Sequence, residues 1–91
     1  MKHAGQDALD RLEPLLAELR RREALKERAR GAFYRAGRAF LHFHEHGEEF
    51  YADMRVGDDF QRFAATSASD RKALLRRIDA ALTDGARGKL R

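Results

Sequence analysis

The sequence predicts a single α+β domain: an N-terminal helix, an antiparallel β-meander of three or four strands, and a C-terminal helix. Three observations predict this fold class. Leucines recur at helical spacing near the start, alternating aromatic segments separated by Gly-containing turns fill the middle, and a second helical stripe follows a capping signal. Each helix has one apolar face, so we expect both helices to pack on the same face of the sheet.

The first helix is predicted from an apolar stripe with spacings of three, four and three residues. The stripe consists of Leu9, Leu12, Leu16 and Leu19. Pro14 interrupts it, so either a short turn precedes a helix that begins near Pro14, or one helix is kinked there. The cations Arg28 and Arg30, followed by Gly31, predict the end of this helix.

From Ala32 onward, alternating and aromatic residues predict the meander. The candidate two-residue turns are Ala36-Gly37, His46-Gly47 and Gly57-Asp58, because Gly supplies the positive φ that such turns require. A turn at His46-Gly47 sets the register of the central hairpin and gives it an apolar face. The predicted cross-strand pairs are Phe43 with Phe50, Leu41 with Ala52, and Ala39 with Met54. Phe60 and Phe63 differ in parity, which predicts a bulge or a three-residue loop nearby.

The last helix is predicted from a capping box, with Ser67 as N-cap and Asp70 reaching back. Gly85 predicts its end, so residues 1–85 form the domain and residues 86–91 a mobile basic tail. The predicted core joins the apolar faces of both helices and of the central hairpin. It consists of Leu12, Leu16, Leu19, Leu41, Phe43, Phe50, Ala52, Met54, Leu75, Ile78 and Leu82.

The other face of the predicted sheet carries the residues that bear on function. Parity within the two central strands places five polar or aromatic side chains on it. These are His42, His44, Glu49, Tyr51 and Asp53. Phe40 joins them, and Phe33 does too if Ala36-Gly37 forms the preceding turn.

His42 and His44 form a His-x-His pair on one side of a strand, which supports a metal-site hypothesis. Such pairs bind zinc, iron or copper when a third ligand converges from another strand, and Asp53 and Glu49 are the candidates. The alternative is a solvated or interface face that happens to hold histidines. We expect no cofactor, and keep a bound divalent metal as an alternative.

Proton transfer by an imidazole is a further hypothesis, with Asp53 orienting His42 and Tyr51 nearby. No nucleophile, phosphate-binding loop or oxyanion arrangement accompanies these residues in the sequence. An open sheet face also lacks a pocket. We therefore expect no enzymatic activity.

Association is the function that this outer face predicts first. Exposed Phe40 and Tyr51, with His42 and His44 between them, would form the kind of patch that marks an interface. The chain has no cysteines, so it has no disulfides to support a small core, and a second copy could stabilise it. We predict a non-enzymatic interaction or regulatory module that forms a homodimer, with any other protein partner unknown.

Nucleic-acid binding is the second hypothesis, based on a net charge of +4 and on 15 Arg against 4 Lys. Aromatic side chains on a sheet, with arginines around them, can stack bases and bind phosphates. The candidate residues are Arg20, Arg21, Arg22, Arg35 and Arg38. Against this hypothesis, acids alternate with the bases of the first helix, as on a solvated helix face.

No apolar run approaches the roughly 18 residues of a membrane helix, and the first residues lack a signal-peptide core. We therefore expect a cytoplasmic protein without membrane association. The stretch FLHFHE, followed by a strand with Ala52 and Asp53, resembles a group of small uncharacterised bacterial proteins over roughly residues 31–82. That resemblance implies a fold and no activity.

The hairpin from Tyr34 to Phe40 is more faintly similar to the MmcQ/YjbR-like double-wing family. Proteins of that family are suspected of binding DNA. The similarity implies that Arg35 and Arg38 are the residues to test for DNA contact.

Overall fold

The protein is an antiparallel six-stranded sheet with two helices on one face, as seen in a computed structural model that describes residues 1–89, with side chains to residue 83. The elements in chain order are β1 (Lys2–His3), α1 (Gln6–Arg20), β2 (Leu25–Ala29), β3 (Ala32–Arg35), β4 (Arg38–His46), β5 (Glu49–Val56), β6 (Asp59–Ala64) and α2 (Ala68–Lys89). This confirms the α+β class with a helix at each end. Neither helix has the length and apolarity needed to cross a lipid bilayer.

The strands follow the order β2-β3-β4-β5-β6, and β1 pairs with β4. β3 covers one edge of β4 only as far as Leu41, so β1 can pair with the same edge further along, at His44 and Glu45. The sheet has more strands than the sequence predicted. Both additional strands, β1 and β2, lie in the segment that the sequence assigned to the first helix or to the residues before it.

α1 ends at Arg20, and the prediction that it continues to about Arg30 is wrong. One helix runs through Pro14. Its last buried residue is Leu19, and only polar or small residues follow until Leu25, so nothing further would pack along a longer helix. Leu25 enters the core from β2 instead.

Gly31 lies in the turn between β2 and β3 and does not cap a helix. It has a φ of +81°, and a Cβ at this position would lie 2.6 Å from Cδ2 of Leu9. A helix C-terminus and a hairpin turn both favour Gly because both use positive φ. The same residue was therefore compatible with either structure.

The turn between β4 and β5 is Gly47-Glu48, one residue later than predicted. Gly47 has a φ of +61° at the first central position. The predicted turn would have required positive φ of His46. Each residue is thus paired two positions away from its predicted partner, with Phe43 opposite Ala52. Because this shift is even, the predicted faces of both strands are correct.

Phe40 and Phe33 lie in the core, at 4% and 1% exposure, so the prediction that they share the outer face is wrong. The turn at Ala36-Gly37 is as predicted, but the register shifts between Phe33 and Tyr34. Phe40 is the extra residue of this bulge. A bulge interrupts the alternation of faces, which parity alone cannot reveal.

The capping box at the start of α2 is confirmed: Ser67 Oγ accepts from the Asp70 amide at 3.0 Å, and Asp70 Oδ2 accepts from the Ser67 amide at 3.1 Å. The predicted end at Gly85 is wrong, because α2 continues to Lys89. A glycine inside a helix costs only about 1 kcal/mol relative to Ala. The predicted tail therefore overlaps α2, its last two residues lie outside the described residues, and its mobility stays a prediction.

The core lies between the helices and the inner sheet face. Most predicted core residues are buried there, and Leu75 and Leu82 pack against it while partly exposed. α2 buries Leu74 and Ile78 most completely. The buried hydrophobic residues that the predicted core did not include are Ala8, Leu15, Leu25, Phe33, Phe40, Ala65 and Leu74.

Candidate metal centre

The sheet face opposite the helices brings together side chains from four strands. Directly paired residues of antiparallel strands project from the same face, and the pairs here are His3 with His44, His44 with Tyr51, His42 with Asp53, and Asp53 with Arg62. We call this surface the histidine face. It consists of His3, His42, His44, Tyr51, Asp53, Phe60 and Arg62.

Three predicted metal candidates meet at the centre of this face. One ligand atom each from His42, His44 and Asp53 lie within 4.8 Å of one another. Asp53 Oδ2 is 3.5 Å from Nε2 of His42 and 3.1 Å from Nε2 of His44. The fourth candidate, Glu49, is not part of this group. It pairs with His46 beside the turn and accepts a 2.5 Å hydrogen bond from the Tyr51 hydroxyl.

His44 is the most unusual residue of the histidine face. Its side chain is buried, and neither ring nitrogen has a hydrogen-bond partner among the described residues. Nε2 lies close to Asp53 Oδ2, but the two are not aligned as a hydrogen bond. A buried polar group without a partner costs about 1–3 kcal/mol, and such groups are rare in folded proteins. A bond from this imidazole to a metal would offset that cost.

Asp53 is buried, and Arg62 neutralises it through a forked contact. Arg62 Nε donates to Oδ1 at 2.8 Å, and Nη2 donates to Oδ2 at 2.9 Å. These hydrogen bonds are the main reason that the pKa of Asp53 lies below its ordinary value, and the two nearby imidazoles lower it further. The carboxylate is therefore ionised at neutral pH, which is the form that ligates metals.

His42 is partly buried beneath the Phe60 ring, with 5.0 Å between the ring centroids. Burial is the main reason that the pKa of His42 lies below its ordinary value, and His44 and His3 lower it further, while Asp53 opposes them. The neutral imidazole, which is the ligating form, is therefore favoured at neutral pH. β6 pairs regularly with β5, so the predicted bulge or longer loop beside Phe60 is absent from the described strand. Phe60 therefore projects from the histidine face and is 38% exposed.

Two members of the histidine face, His3 and Arg62, were not predicted from the sequence. His3 belongs to β1, and its ring centroid lies 4.5 Å from that of His44 and 5.7 Å from that of His42. No local pattern predicts a strand of two residues. Arg62 could have been found, since a regular strand after the Gly57-Asp58 turn places it opposite Asp53.

The residues predicted for association do not form one surface. Phe40 is in the core, whereas His42, His44 and Tyr51 share the histidine face. Tyr51 is partly buried there, and Phe60 supplies the exposed aromatic ring. The aromatic part of the face is thus smaller than predicted.

The arginines predicted for nucleic acid fall into two groups. Each arginine of the first group is paired with a carboxylate: Arg20 with Glu13 and Glu27, Arg21 with Glu18, and Arg22 with Glu18 and Asp79. The second group, Arg35 and Arg38, lines an opening of about 240 Å³ together with Arg55. Arg35 also donates to the carbonyl oxygens of Ala81 and Leu82 in α2, at 3.3 and 3.4 Å.

No family model, curated protein or solved structure matches this chain. Both resemblances drawn from the sequence therefore stay predictions.

Proposed function

We propose that the protein binds a divalent transition-metal ion, in first place Zn²⁺, through His42, His44 and Asp53. His44 carries this proposal, because both its ring nitrogens are buried without hydrogen-bond partners beside an ionised carboxylate. Two imidazoles and one carboxylate form a donor set suited to zinc and other transition metals. Magnesium and calcium prefer oxygen ligands alone, so this set disfavours them.

The distances between the donor atoms support a preformed site. Zinc bonds of about 2.0–2.1 Å in a tetrahedral arrangement place two ligand atoms about 3.3 Å apart. Asp53 Oδ2 lies 3.1 Å from one imidazole nitrogen and 3.5 Å from the other. Both distances to the carboxylate are within a few tenths of an ångström of the tetrahedral value. All three donor atoms lie within 4.8 Å of one another, so an ion would be accommodated once the two imidazoles turn toward it.

Arg62 would act as a positioning residue for this site. It donates to both oxygens of Asp53, and only Oδ2 faces the imidazoles. A metal bound to Oδ2 would leave the Arg62 Nε bond to Oδ1 in place. Groups that hold a ligating carboxylate in this way are a usual part of protein metal sites.

The test is a zinc titration at pH 7.5 followed by calorimetry and by thermal unfolding. Binding should raise the melting temperature, since a ligand at one hundred times its Kd stabilises the folded state by about 2.7 kcal/mol. The double variant His42→Ala/His44→Ala should lose both the binding heat and the rise.

His46→Ala is the matched control. His46 lies on the same strand with the same parity, but it is exposed beside the turn, so its loss should leave zinc binding unchanged. A wild-type protein that binds no zinc, or a double variant that binds as tightly as wild type, overturns the proposal.

Nucleic-acid binding is the second candidate, supported by the unpaired arginines. Among the side chains that the structure describes, Arg35, Arg38 and Arg55 have no carboxylate partner, unlike Arg20, Arg21 and Arg22. Oligonucleotide binding should weaken steeply as salt rises, and Arg38→Ala should weaken it more than Arg21→Ala, an equal loss of charge at a paired site. Absence of binding at low salt rejects this candidate.

Self-association as a homodimer stays a prediction, as does the absence of enzymatic activity. Tyr51 and Phe60 are the aromatic residues that the histidine face offers to a second copy. The solution mass at high micromolar concentration, with and without zinc, tests this. A monomer under both conditions counts against the interaction module.

A further inference from the structure

We propose that His3 is a fourth ligand to the metal, so that metal binding fastens β1 to the sheet and closes the coordination sphere. This inference rests on the proposed function, because it concerns the same site. It adds a ligand from a different element and a structural consequence for the segment before α1.

The register of β1 brings His3 to the site. His3 is directly opposite His44, so both imidazoles project from the histidine face. The two rings are stacked, with centroids 4.5 Å apart and planes at 29°, and the His42 ring is 5.7 Å away. Three imidazoles and one carboxylate therefore converge from three strands on one small area.

His3 must turn its ring to ligate, because a ring stacked on His44 does not direct a nitrogen to the same ion. Its side chain is exposed and makes no hydrogen bond to any described residue. Rotation between staggered side-chain conformers is therefore open to it at little cost. The short strand also permits a small shift of the backbone.

The number of ligands separates two kinds of zinc site. Structural sites have four protein ligands, whereas catalytic sites have three and leave one position for water or substrate. His42, His44 and Asp53 supply three, and His3 would supply the fourth. A closed site of three nitrogens and one oxygen would stabilise the fold and present no reactive metal-bound water.

β1 is the element that gains most from this additional bond. Besides two ladder pairs with β4, two contacts hold the segment that follows it: the Ala4 amide donates to the Phe43 carbonyl at 3.0 Å, and the Gly5 amide donates to Glu45 Oε2 at 2.7 Å. A strand with so few contacts opens locally at a small free energy. A His3–metal bond would oppose that opening and hold Gly5, the N-cap residue of α1.

The experiment compares wild type, His3→Ala and His3→Cys by zinc calorimetry and by amide hydrogen exchange, with His46→Ala as control. His3→Ala should retain one bound zinc but lose at least about tenfold in affinity, the lower end of what changes around metal sites cost. Zinc should slow exchange of the Ala4 amide in wild type and His46→Ala, but not in His3→Ala. His3→Cys, which restores a ligand, should recover both effects.

Two failures are distinguishable. If wild type binds zinc but His3→Ala has the same affinity and the same Ala4 protection, the fourth ligand is refuted and a three-ligand site remains. If wild type binds no zinc, the proposed function fails and this inference fails with it. Circular dichroism of His3→Ala checks that the fold is intact, which its exposed position leads us to expect.

Discussion

Two regions of the molecule, the α1–β2 contact and the histidine face, distribute their charged groups in opposite ways. At the α1–β2 contact, Arg20 bridges Glu13 and Glu27, and Arg30 bridges Asp10 and Glu13, so that each cation has two acids. On the histidine face, one carboxylate serves a guanidinium and two imidazoles, with a third imidazole beside them. The first region has more acids than bases, and the second has one acid for four nitrogen-bearing side chains.

This difference separates a structural network from a site that lacks a component. At the α1–β2 contact, hydrogen bonds from arginine are the main reason that the pKa values of Glu13 and Glu27 lie below their ordinary value. That network is complete. His44, by contrast, is buried with neither ring nitrogen bonded among the described residues. An additional cation with a preference for nitrogen would complete the second region, and it would have no role in the first.

Replacing Arg62 with Ala should have the largest effect on stability. It removes the forked partner of Asp53, whose side chain is only 12% exposed, and breaking a buried pair by removing one member is strongly destabilising. Because Arg62 itself is 45% exposed, solvent screens part of its attraction to Asp53, so the loss should be smaller than for a pair that is buried on both sides. Urea unfolding with a chelator present measures it.

Zinc should reduce the effect of Arg62→Ala, because the metal supplies the missing positive charge beside Asp53. Arg21→Ala is the control, since Arg21 is 75% exposed and its pair should contribute less than about 0.5 kcal/mol. An equal loss with and without zinc would show that Asp53 does not face the metal.

Replacing His44 with Phe tests whether the buried imidazole destabilises the metal-free protein. Phe keeps the ring and removes the two unbonded nitrogens, so the metal-free protein should gain about 1 kcal/mol in free energy of unfolding. The same variant should lose the zinc-induced rise in melting temperature. A metal-free variant less stable than wild type would mean that His44 already has a favourable partner. The analogous change His42→Phe, at a less buried imidazole, should give a smaller gain.

That His42, His44 and Asp53 share one face could be predicted from the sequence, because it depends only on alternation within β4 and β5. Which acid lies beside the imidazoles depends on the register, and the predicted register would have placed Glu49, not Asp53, directly opposite one of them. The predicted register was wrong by two residues, yet an even error leaves each side chain on its face. Phe40 was misplaced because it is itself the extra residue of the bulge between β3 and β4, where the alternation of faces is interrupted.

It could not be predicted from the sequence that β1, which carries His3, and β2 join the sheet. The reasons differ for the two strands. β1 has two residues and exists because β4 has an unoccupied length of edge, which is a property of the whole sheet. β2 contains Leu25 and alternating charges, and this pattern also fits the end of a charged helix. Local sequence was consistent with both structures, and packing of the sheet decided between them.

Replacing Glu27 with Gln should have the smallest effect on the free energy of unfolding. The dependence of that effect on pH tests whether charge holds the α1–β2 contact together. Glu27 accepts from Arg20 Nε at 2.6 Å and from the Gly31 amide at 2.9 Å. The pKa of Glu27 lies below its ordinary value of 4.5, chiefly because of the Arg20 hydrogen bond. Since the folded-state pKa is lowered, this stabilisation is present above pH 4.5 and is lost as pH falls through the folded-state pKa.

Glu27→Gln should therefore reduce the free energy of unfolding by up to about 1 kcal/mol at pH 7, a value discounted for partial exposure. The difference from wild type should shrink when urea unfolding is repeated near pH 3. Glu48→Gln, at an exposed turn residue, is the control and should differ little from wild type at either pH. A constant difference between Glu27→Gln and wild type would mean that the contribution of Glu27 is steric. The two regions would then differ in how their side chains pack, and not in whether their charged groups are paired.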